Sequence, residues 1–178
     1  MKKFLFLLML LLLNIAVFSQ SYLGWITKQV NFREGPSSEY KIIKSLPPGT
    51  QIFIVSIDSE SDYYNIIDIE SDKEGFVHKA FIKLGETVEL NEGGIFTPDR
   101  TSTEYKPEIE IFNNTNITLT LKLNDEIFSF NANQKRTISL NPGIYNYRAS
   151  APGVIPNIGK EKIESNMVYS WQFYIVTR

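Results

Sequence analysis

Residues 30–40 read VNFREGPSSEY, and this stretch decides the fold of the segment around it. Gly35 permits a positive φ, whereas Pro36 fixes φ and lacks an N–H group, so no strand continues through the pair. The chain therefore turns after Arg33. Asn31 and Arg33 lie on the same face of the strand that precedes this turn, because side chains alternate along a strand.

The sequence on both sides of the turn, from Gly24 to Leu84, is typical of β-strands. Short runs of β-branched and aromatic residues alternate with turn residues, and apolar residues do not recur at helical spacing. Residues 52–57 are apolar on both faces over part of their length, as in the central strand of a small, tightly wrapped barrel. A hairpin with strands at residues 63–69 and 75–79 follows. The pattern predicts an all-β first domain over residues 24–84.

These residues resemble the bacterial Src-homology-3-like (SH3b) domain. That family opens with Asn-x-Arg-x-Gly-Pro-Ser, which stands here at residues 31–37, and Pro48-Gly49-Thr50 follows in the expected order. The family ends with Gly-Trp-Val and a short helical turn, and residues 75–82 fit this pattern with Phe76 in place of Trp. The order and spacing of these motifs together carry the resemblance. It covers about a third of the chain and implies a small SH3-like barrel.

The resemblance also implies a function, the binding of cell-wall or peptide ligands in a shallow groove lined by aromatic side chains. Domains of this family are often attached to a wall hydrolase as targeting modules. The predicted groove residues are Asn31, Arg33, Tyr40, Tyr64 and Phe76. Asn31 and Arg33 also have ordinary structural interpretations, namely a bond to turn amides and a surface ion pair. Tyr63 and Tyr64 are neighbours on one strand, so one of them points inward and the other outward.

A second all-β domain is predicted over residues 108–178. Its first strands show apolar residues in alternation with polar ones, at Leu119, Leu121 and Leu123. This alternation indicates one buried face. A turn at Asn124-Asp125 then places Leu121 opposite Phe128 on that face.

The rest of this domain is predicted to contain a further hairpin and a last strand. Pro142-Gly143 suits the two central positions of a type II turn and pairs Leu140 with Tyr145. The last strand extends from Tyr169 to Val176. Six or seven strands in about 70 residues favour a small antiparallel β-sandwich. This part of the chain resembles no family.

Residues 85–107, between the two domains, have a different composition, with many acidic residues, Gly93-Gly94 and few large apolar side chains. This composition favours a linker. An extra edge strand over residues 86–90 is the alternative, because Val88 and Leu90 alternate with polar residues.

Residues 151–159 read APGVIPNIG and contain too much Pro and Gly for the centre of a strand. They are predicted to form an apolar loop, for which two interpretations stay open. Val154, Ile155 and Ile158 either cap the open end of the sandwich or form the contact surface for a protein partner.

The N-terminus predicts export. Lys2 and Lys3 precede an apolar run from Phe4 to Phe18, which is shorter than the ~20 residues of a membrane span, and the small Ser19 follows. We expect a signal peptide over residues 1–19 that is cleaved before Gln20, with an uncleaved anchor as the alternative. The protein is then secreted or periplasmic, and no segment of the mature chain is predicted to span a membrane.

The composition excludes several classes of site and partner. The chain contains no cysteine, so it has no lipid-modified Cys, thiol nucleophile, thiolate zinc site or disulfide. Removing Lys2 and Lys3 from the 18 basic residues leaves 16 against 20 acidic ones, a net charge of −4. Nucleic acid is not an expected partner, because phosphate binding needs a concentrated basic face.

The sequence offers little chemistry beyond binding. His78 is the only histidine, and no Gly-x-Ser-x-Gly motif is present. The acidic residues between 58 and 62 belong to a polar loop, where carboxylates are normally solvated. Asn113 and Asn116 begin Asn-x-Thr patterns, which are glycosylation acceptors only in a host that modifies secreted asparagine. We expect no catalytic residue, no metal and no cofactor.

Two functional hypotheses follow. The sequence favours a secreted, non-catalytic binding module of the cell envelope that recognises peptidoglycan or a peptide through the SH3-like groove. The alternative is an envelope interaction or scaffold protein whose C-terminal sandwich binds a protein partner. The expected partner is therefore a cell-wall peptide or glycan, or an envelope protein.

Overall fold

The computed structural model describes residues 20–57 and 60–175. The predicted signal peptide, residues 1–19, lies outside this range. The described residues form fifteen β-strands and one 3-10 turn at Lys79–Phe81, so this part of the chain is all-β as predicted. No helix in this part of the chain is long and apolar enough to cross a membrane.

The first sheet contains seven strands: β1 (Ser21–Ile26), β2 (Val30–Arg33), β3 (Ile42–Leu46), β4 (Gln51–Ser56), β5 (Tyr63–Asp68), β6 (Lys73–His78) and β7 (Ile82–Val88). Their order is β3-β2-β6-β5-β4-β1-β7, and all neighbouring pairs are antiparallel. Leu46 on β3 and Ile82 on β7 stand at opposite edges of the sheet, yet both pack in one cluster with Phe32 and Val77. The sheet therefore curls around a shared core and forms the predicted SH3-like barrel.

The other strands form two four-stranded sheets: β8 (Thr97–Thr101), β9 (Glu108–Asn113), β10 (Leu119–Leu123), β11 (Glu126–Phe130), β12 (Lys135–Ser139), β13 (Gly143–Ala151), β14 (Val154–Ile163) and β15 (Met167–Phe173). One sheet has the order β11-β10-β13-β14 and the other β12-β9-β15-β8. Their inner faces share a core that includes Ile109, Leu121, Phe130 and Tyr169, which confirms the predicted sandwich. The pairing of β9 with β15 is parallel, in contrast to the antiparallel arrangement that was predicted.

The two predicted hairpins of the sandwich differ in outcome. Asn124 has a positive φ of 53°, and Leu121 lies opposite Phe128 as predicted. The hairpin at Pro142-Gly143 is wrong, because β12 and β13 belong to different sheets and Gly143 does not have a positive φ. The alternation of apolar residues shows which face of each strand is buried. It does not show whether the next strand pairs in the same sheet or crosses to the sheet packed against it, because the same face is buried in both cases.

Residues 85–107, predicted as a linker, belong in part to the sheets. β7 continues to Val88 along β1, and β8 forms an edge of the sandwich. Between them, the Glu161 carboxylate accepts hydrogen bonds from Ile95 N at 2.6 Å and Phe96 N at 2.9 Å. All five residues of β8 are exposed. An edge strand pairs on one side only, which explains why its composition resembles that of a linker.

Residues 151–159 form a turn and a strand rather than the predicted loop. Pro152 and Gly153 make the turn, with Gly153 at a φ of 78°, and β14 begins at Val154. β14 is the edge strand of its sheet. An edge strand tolerates Pro156, which lacks a backbone donor, and this is why the Pro-rich sequence did not prevent a strand.

The two domains meet across a buried apolar contact. Ile158 is 9% exposed and packs in one cluster with Phe53, Ile67 and Ile69 of the first domain. Beside it, the backbone N–H of Gly153 donates to the carbonyl oxygen of Ile69 at 2.8 Å. The capping role predicted for Ile158 is therefore wrong, because this side chain covers the neighbouring domain instead of the end of its own sandwich.

Candidate functional site

Two adjoining hollows lie on the first domain. The larger, of about 800 Å³, is lined by residues 36–38, residues 60–62 and side chains of β5 and β6. The smaller, of about 300 Å³, is lined by side chains of β2 and by Phe81 of the 3-10 turn. Tyr63 and His78 line both hollows, so the two adjoin at these side chains. The two hollows together are called the groove below.

Three aromatic rings stand in a row at the centre of the groove. The ring centroids of Tyr63 and His78 are 5.2 Å apart and those of His78 and Phe81 are 5.7 Å apart, and both contacts are edge to face. The Nδ1 atom of His78 accepts a hydrogen bond from the backbone N–H of Ala80 at 3.2 Å, which fixes the ring from its polar side. The row is an aromatic surface of the kind on which peptides and sugar rings pack.

The turn after β2 forms one wall of the groove. Arg33 Nη1 donates to the carbonyl oxygen of Tyr40 at 2.8 Å, and Glu34 N donates to Lys41 O at 3.0 Å. The Tyr40 ring covers Gly35 so closely that a Cβ atom there would clash with it, so any other residue would push the ring away from this turn. Arg33 thus holds the wall in place through a backbone carbonyl, which neither of its predicted roles included.

A second wall, residues 60–62, is held by Lys79. Its ammonium group donates to Ser61 O at 2.9 Å and lies 3.1 Å from Asp62 Oδ1. Its backbone N–H donates to Asp62 O at 2.8 Å. These contacts of Lys79 fix the loop at the edge of the groove. Within the described residues, no three His, Asp or Glu side chains are grouped as metal ligands.

The structure separates the predicted groove residues into three groups. Asn31 and Arg33 line the smaller hollow, and Phe76 lines the larger one. Tyr40 lies on the wall, where it is 49% exposed. Tyr64 packs against the barrel core, so its assignment to the groove is corrected and its neighbour Tyr63 takes that place.

Tyr63 is the groove residue that sequence reasoning missed. Because side chains alternate along β5, Tyr64 shares a face with Ile66, and Tyr63 shares the other face with Ile67. Both isoleucines are buried, Ile66 in the barrel core and Ile67 against the second domain. Two consecutive apolar residues leave the inward face undefined, so only knowledge of the contact between the domains distinguishes the two tyrosines.

The larger hollow is connected to the second domain by three polar side chains. Asn65, which lies opposite Phe76 in the pairing of β5 with β6, donates from Nδ2 to Glu74 Oε1 at 3.0 Å. Glu74 Oε2 lies 2.8 Å from Nη2 of Arg148, whose side chain is 10% exposed on β13. Burial raises the pKa of Glu74, but the hydrogen bond from Asn65 and the charge of Arg148 outweigh it and hold the pKa below the ordinary 4.5.

Glu74 is expected to make stability depend on pH in acid. A carboxyl group with a lowered pKa in the folded protein stabilises the fold above its unfolded pKa, and this contribution is lost as the pH falls through the folded pKa. Between about pH 5 and pH 3, we expect the wild type to lose on the order of 1 kcal/mol more unfolding free energy than Glu74→Gln. Urea denaturation at a series of pH values measures this difference, and equal losses in both proteins would contradict it.

Residues 28–83 match the family model of the bacterial SH3 domain. The match includes the aromatic row and both walls of the groove. The first domain is therefore a bacterial SH3 domain, a class that typically serves as a binding module. No curated protein and no solved structure matches the chain.

Proposed function

We propose that this protein is a secreted, non-catalytic binding module of the cell envelope, and that its groove recognises peptidoglycan or a cell-wall peptide. The observation that carries the proposal is the row of Tyr63, His78 and Phe81 at the centre of a groove in a bacterial SH3 domain. Asn31 and Asn65 line the two hollows on either side and provide polar groups that orient a ligand.

The sequence supports export, and the composition and the groove together support a non-catalytic role. Residues 1–19 have the charge and apolar pattern of a signal peptide. The chain has no cysteine, and its one histidine, His78, uses Nδ1 to accept a backbone hydrogen bond. In neutral imidazole with Nδ1 as the acceptor, the proton is on Nε2, so neither nitrogen has a free lone pair to act as the general base for a nucleophile.

A pull-down of the mature chain, Gln20 to Arg178, on insoluble peptidoglycan tests the proposal. We expect the wild type to be retained and Tyr63→Ala to bind about fivefold more weakly, because an aromatic packing contact contributes about 1 kcal/mol. Tyr105→Ala is the matched control, since Tyr105 is 68% exposed and lies outside the groove. Equal retention of the two variants would contradict the role of the groove, and no retention of the wild type would contradict wall binding.

The alternative, a sandwich that binds a protein through Val154, Ile155 and Ile158, has less support. Ile158 packs against the first domain, whereas Ile155 is 46% exposed. Ile158 is therefore buried against the first domain, and Val154 and Ile155 are what is left of the predicted contact surface. Failure of the wild type to bind peptidoglycan would direct the search to an envelope protein as the partner.

A further inference from the structure

A residue of the second domain reaches the groove through a short chain of polar contacts. Arg148 stands on β13, outside the residues that match the bacterial SH3 domain. Its Nη2 atom lies 2.8 Å from Glu74 Oε2, and Glu74 Oε1 accepts the hydrogen bond from Asn65 Nδ2 at 3.0 Å. Asn65 lines the larger hollow. The contacts thus run without a gap from the sandwich to the site of the proposed function.

The charge of Glu74 determines how the Asn65 amide is oriented. An ionised carboxylate only accepts hydrogen bonds, so the NH2 group of Asn65 must face it. The Oδ1 atom of Asn65 is then directed away from Glu74, and it is buried without a hydrogen-bond partner among the described residues. Because this atom is buried, the hydrogen bond to Glu74 is what fixes the Asn65 amide in the wall of the larger hollow.

We propose that Arg148 is a positioning residue for the groove. By keeping Glu74 in place, it holds the NH2 group of Asn65 toward the second domain and so fixes this side chain in the wall of the larger hollow. The ligand part, that this positioning strengthens binding in the groove, rests on the proposed function, whereas the positioning of the Asn65 amide does not.

The positioning is tested in the absence of any ligand. The NMR resonances of the Asn65 side-chain NH2 group, assigned by their disappearance in Asn65→Asp, are compared in the wild type and in Arg148→Met. We expect them to shift in Arg148→Met and to return toward the wild-type position in Arg148→Lys, which keeps a cation. Lys162→Met is the matched control. Lys162 lies on β14, in the same sheet as Arg148, and its exposed side chain pairs with Glu164. Unchanged Asn65 resonances in Arg148→Met would overturn the proposal.

Arg148→Met leaves the Glu74 charge without its partner and risks misfolding. The double variant Glu74→Gln/Arg148→Met removes both charges and keeps the test decisive. Its glutamine amide both donates and accepts, so the Asn65 amide is no longer held in one orientation and its resonances are expected to shift or broaden. Wild-type resonances in a folded double variant would also overturn the proposal.

Retention on insoluble peptidoglycan then tests the ligand part. We expect Arg148→Met to bind several-fold more weakly than the wild type, and Lys162→Met to bind equally. If the Asn65 resonances shift and Arg148→Met binds as tightly as the wild type, the positioning of Asn65 does not affect binding and that part of the proposal is overturned. If the resonances shift and the wild type does not bind peptidoglycan, the proposed function fails while the positioning by Arg148 is supported.

Discussion

Replacing Ile158 with aspartate is expected to separate the two domains and to lower the free energy of unfolding by at least about 3 kcal/mol. Ile158 packs with Phe53, Ile67 and Ile69, and among the described residues it is the one side chain that the second domain contributes to the buried part of this cluster. An aspartate there places a carboxylate among apolar side chains, and burial of an unpaired charge is more costly than a cavity. Opening the interface exposes the cluster to water on both sides.

The chain carries one tryptophan in each domain, and these report the separation directly. Trp25 lies on β1 and Trp171 on β15, and the sequence contains no other tryptophan. Urea unfolding is followed by fluorescence in Trp25→Phe and Trp171→Phe backgrounds. We expect the two probes to give one shared transition with Ile158 present, and two separate transitions in Ile158→Asp.

The matched control for Ile158→Asp is Ile155→Asp. Both positions lie on β14, but Ile155 is 46% exposed, so its change is expected to cost less than about 0.5 kcal/mol and to leave one shared transition. Coincident transitions in Ile158→Asp at the wild-type urea midpoint would show that the contact between the domains does not stabilise the fold.

The interface also marks the limit of what could be predicted from the sequence. The fold class, the sandwich and the pairing of Leu121 with Phe128 follow from local patterns, because alternation and turn residues are properties of neighbouring positions. The SH3-like barrel follows from the family resemblance of residues 24–84. Ile67 and Ile158 each lie on a strand face that would be exposed to water if its own domain stood alone. The local pattern therefore gives no reason for these two side chains to be buried. Nothing in either local pattern indicates that these two residues meet.

The errors at the candidate site have the same origin. Tyr64 was assigned to the groove in place of Tyr63 because Ile67 is buried by the second domain, which hides the alternation on β5. Arg148 was not predicted at all, because its partner Glu74 stands 74 positions earlier in the chain and in the other domain. Groove residues that depend only on the family signature, Asn31, Arg33 and Phe76, do line the hollows.

Asn113 begins an Asn-x-Thr pattern in the sequence, but in the structure its side chain has a different role. Its side chain is fully buried, and Nδ2 donates to the carbonyl oxygens of Ile117 at 2.8 Å, Phe130 at 3.0 Å and Asn131 at 2.9 Å. Its Oδ1 atom accepts from the Thr115 hydroxyl at 2.7 Å. The two hydrogens of Nδ2 are thus shared among three carbonyl groups, which leaves no position for a sugar in the folded protein.

Asn113→Ala is expected to lower the unfolding free energy by about 3 kcal/mol, because buried carbonyl groups lose their donor. This corresponds to a decrease in Tm of about 6 to 12 °C for a chain of this size, measured by circular dichroism on heating. Asn116→Ala is the matched control, since Asn116 begins the second Asn-x-Thr pattern but is exposed, and we expect a change of less than about 0.5 kcal/mol. Equal Tm values for the two variants would mean that Asn113 does not hold the ends of β9 and β11 together.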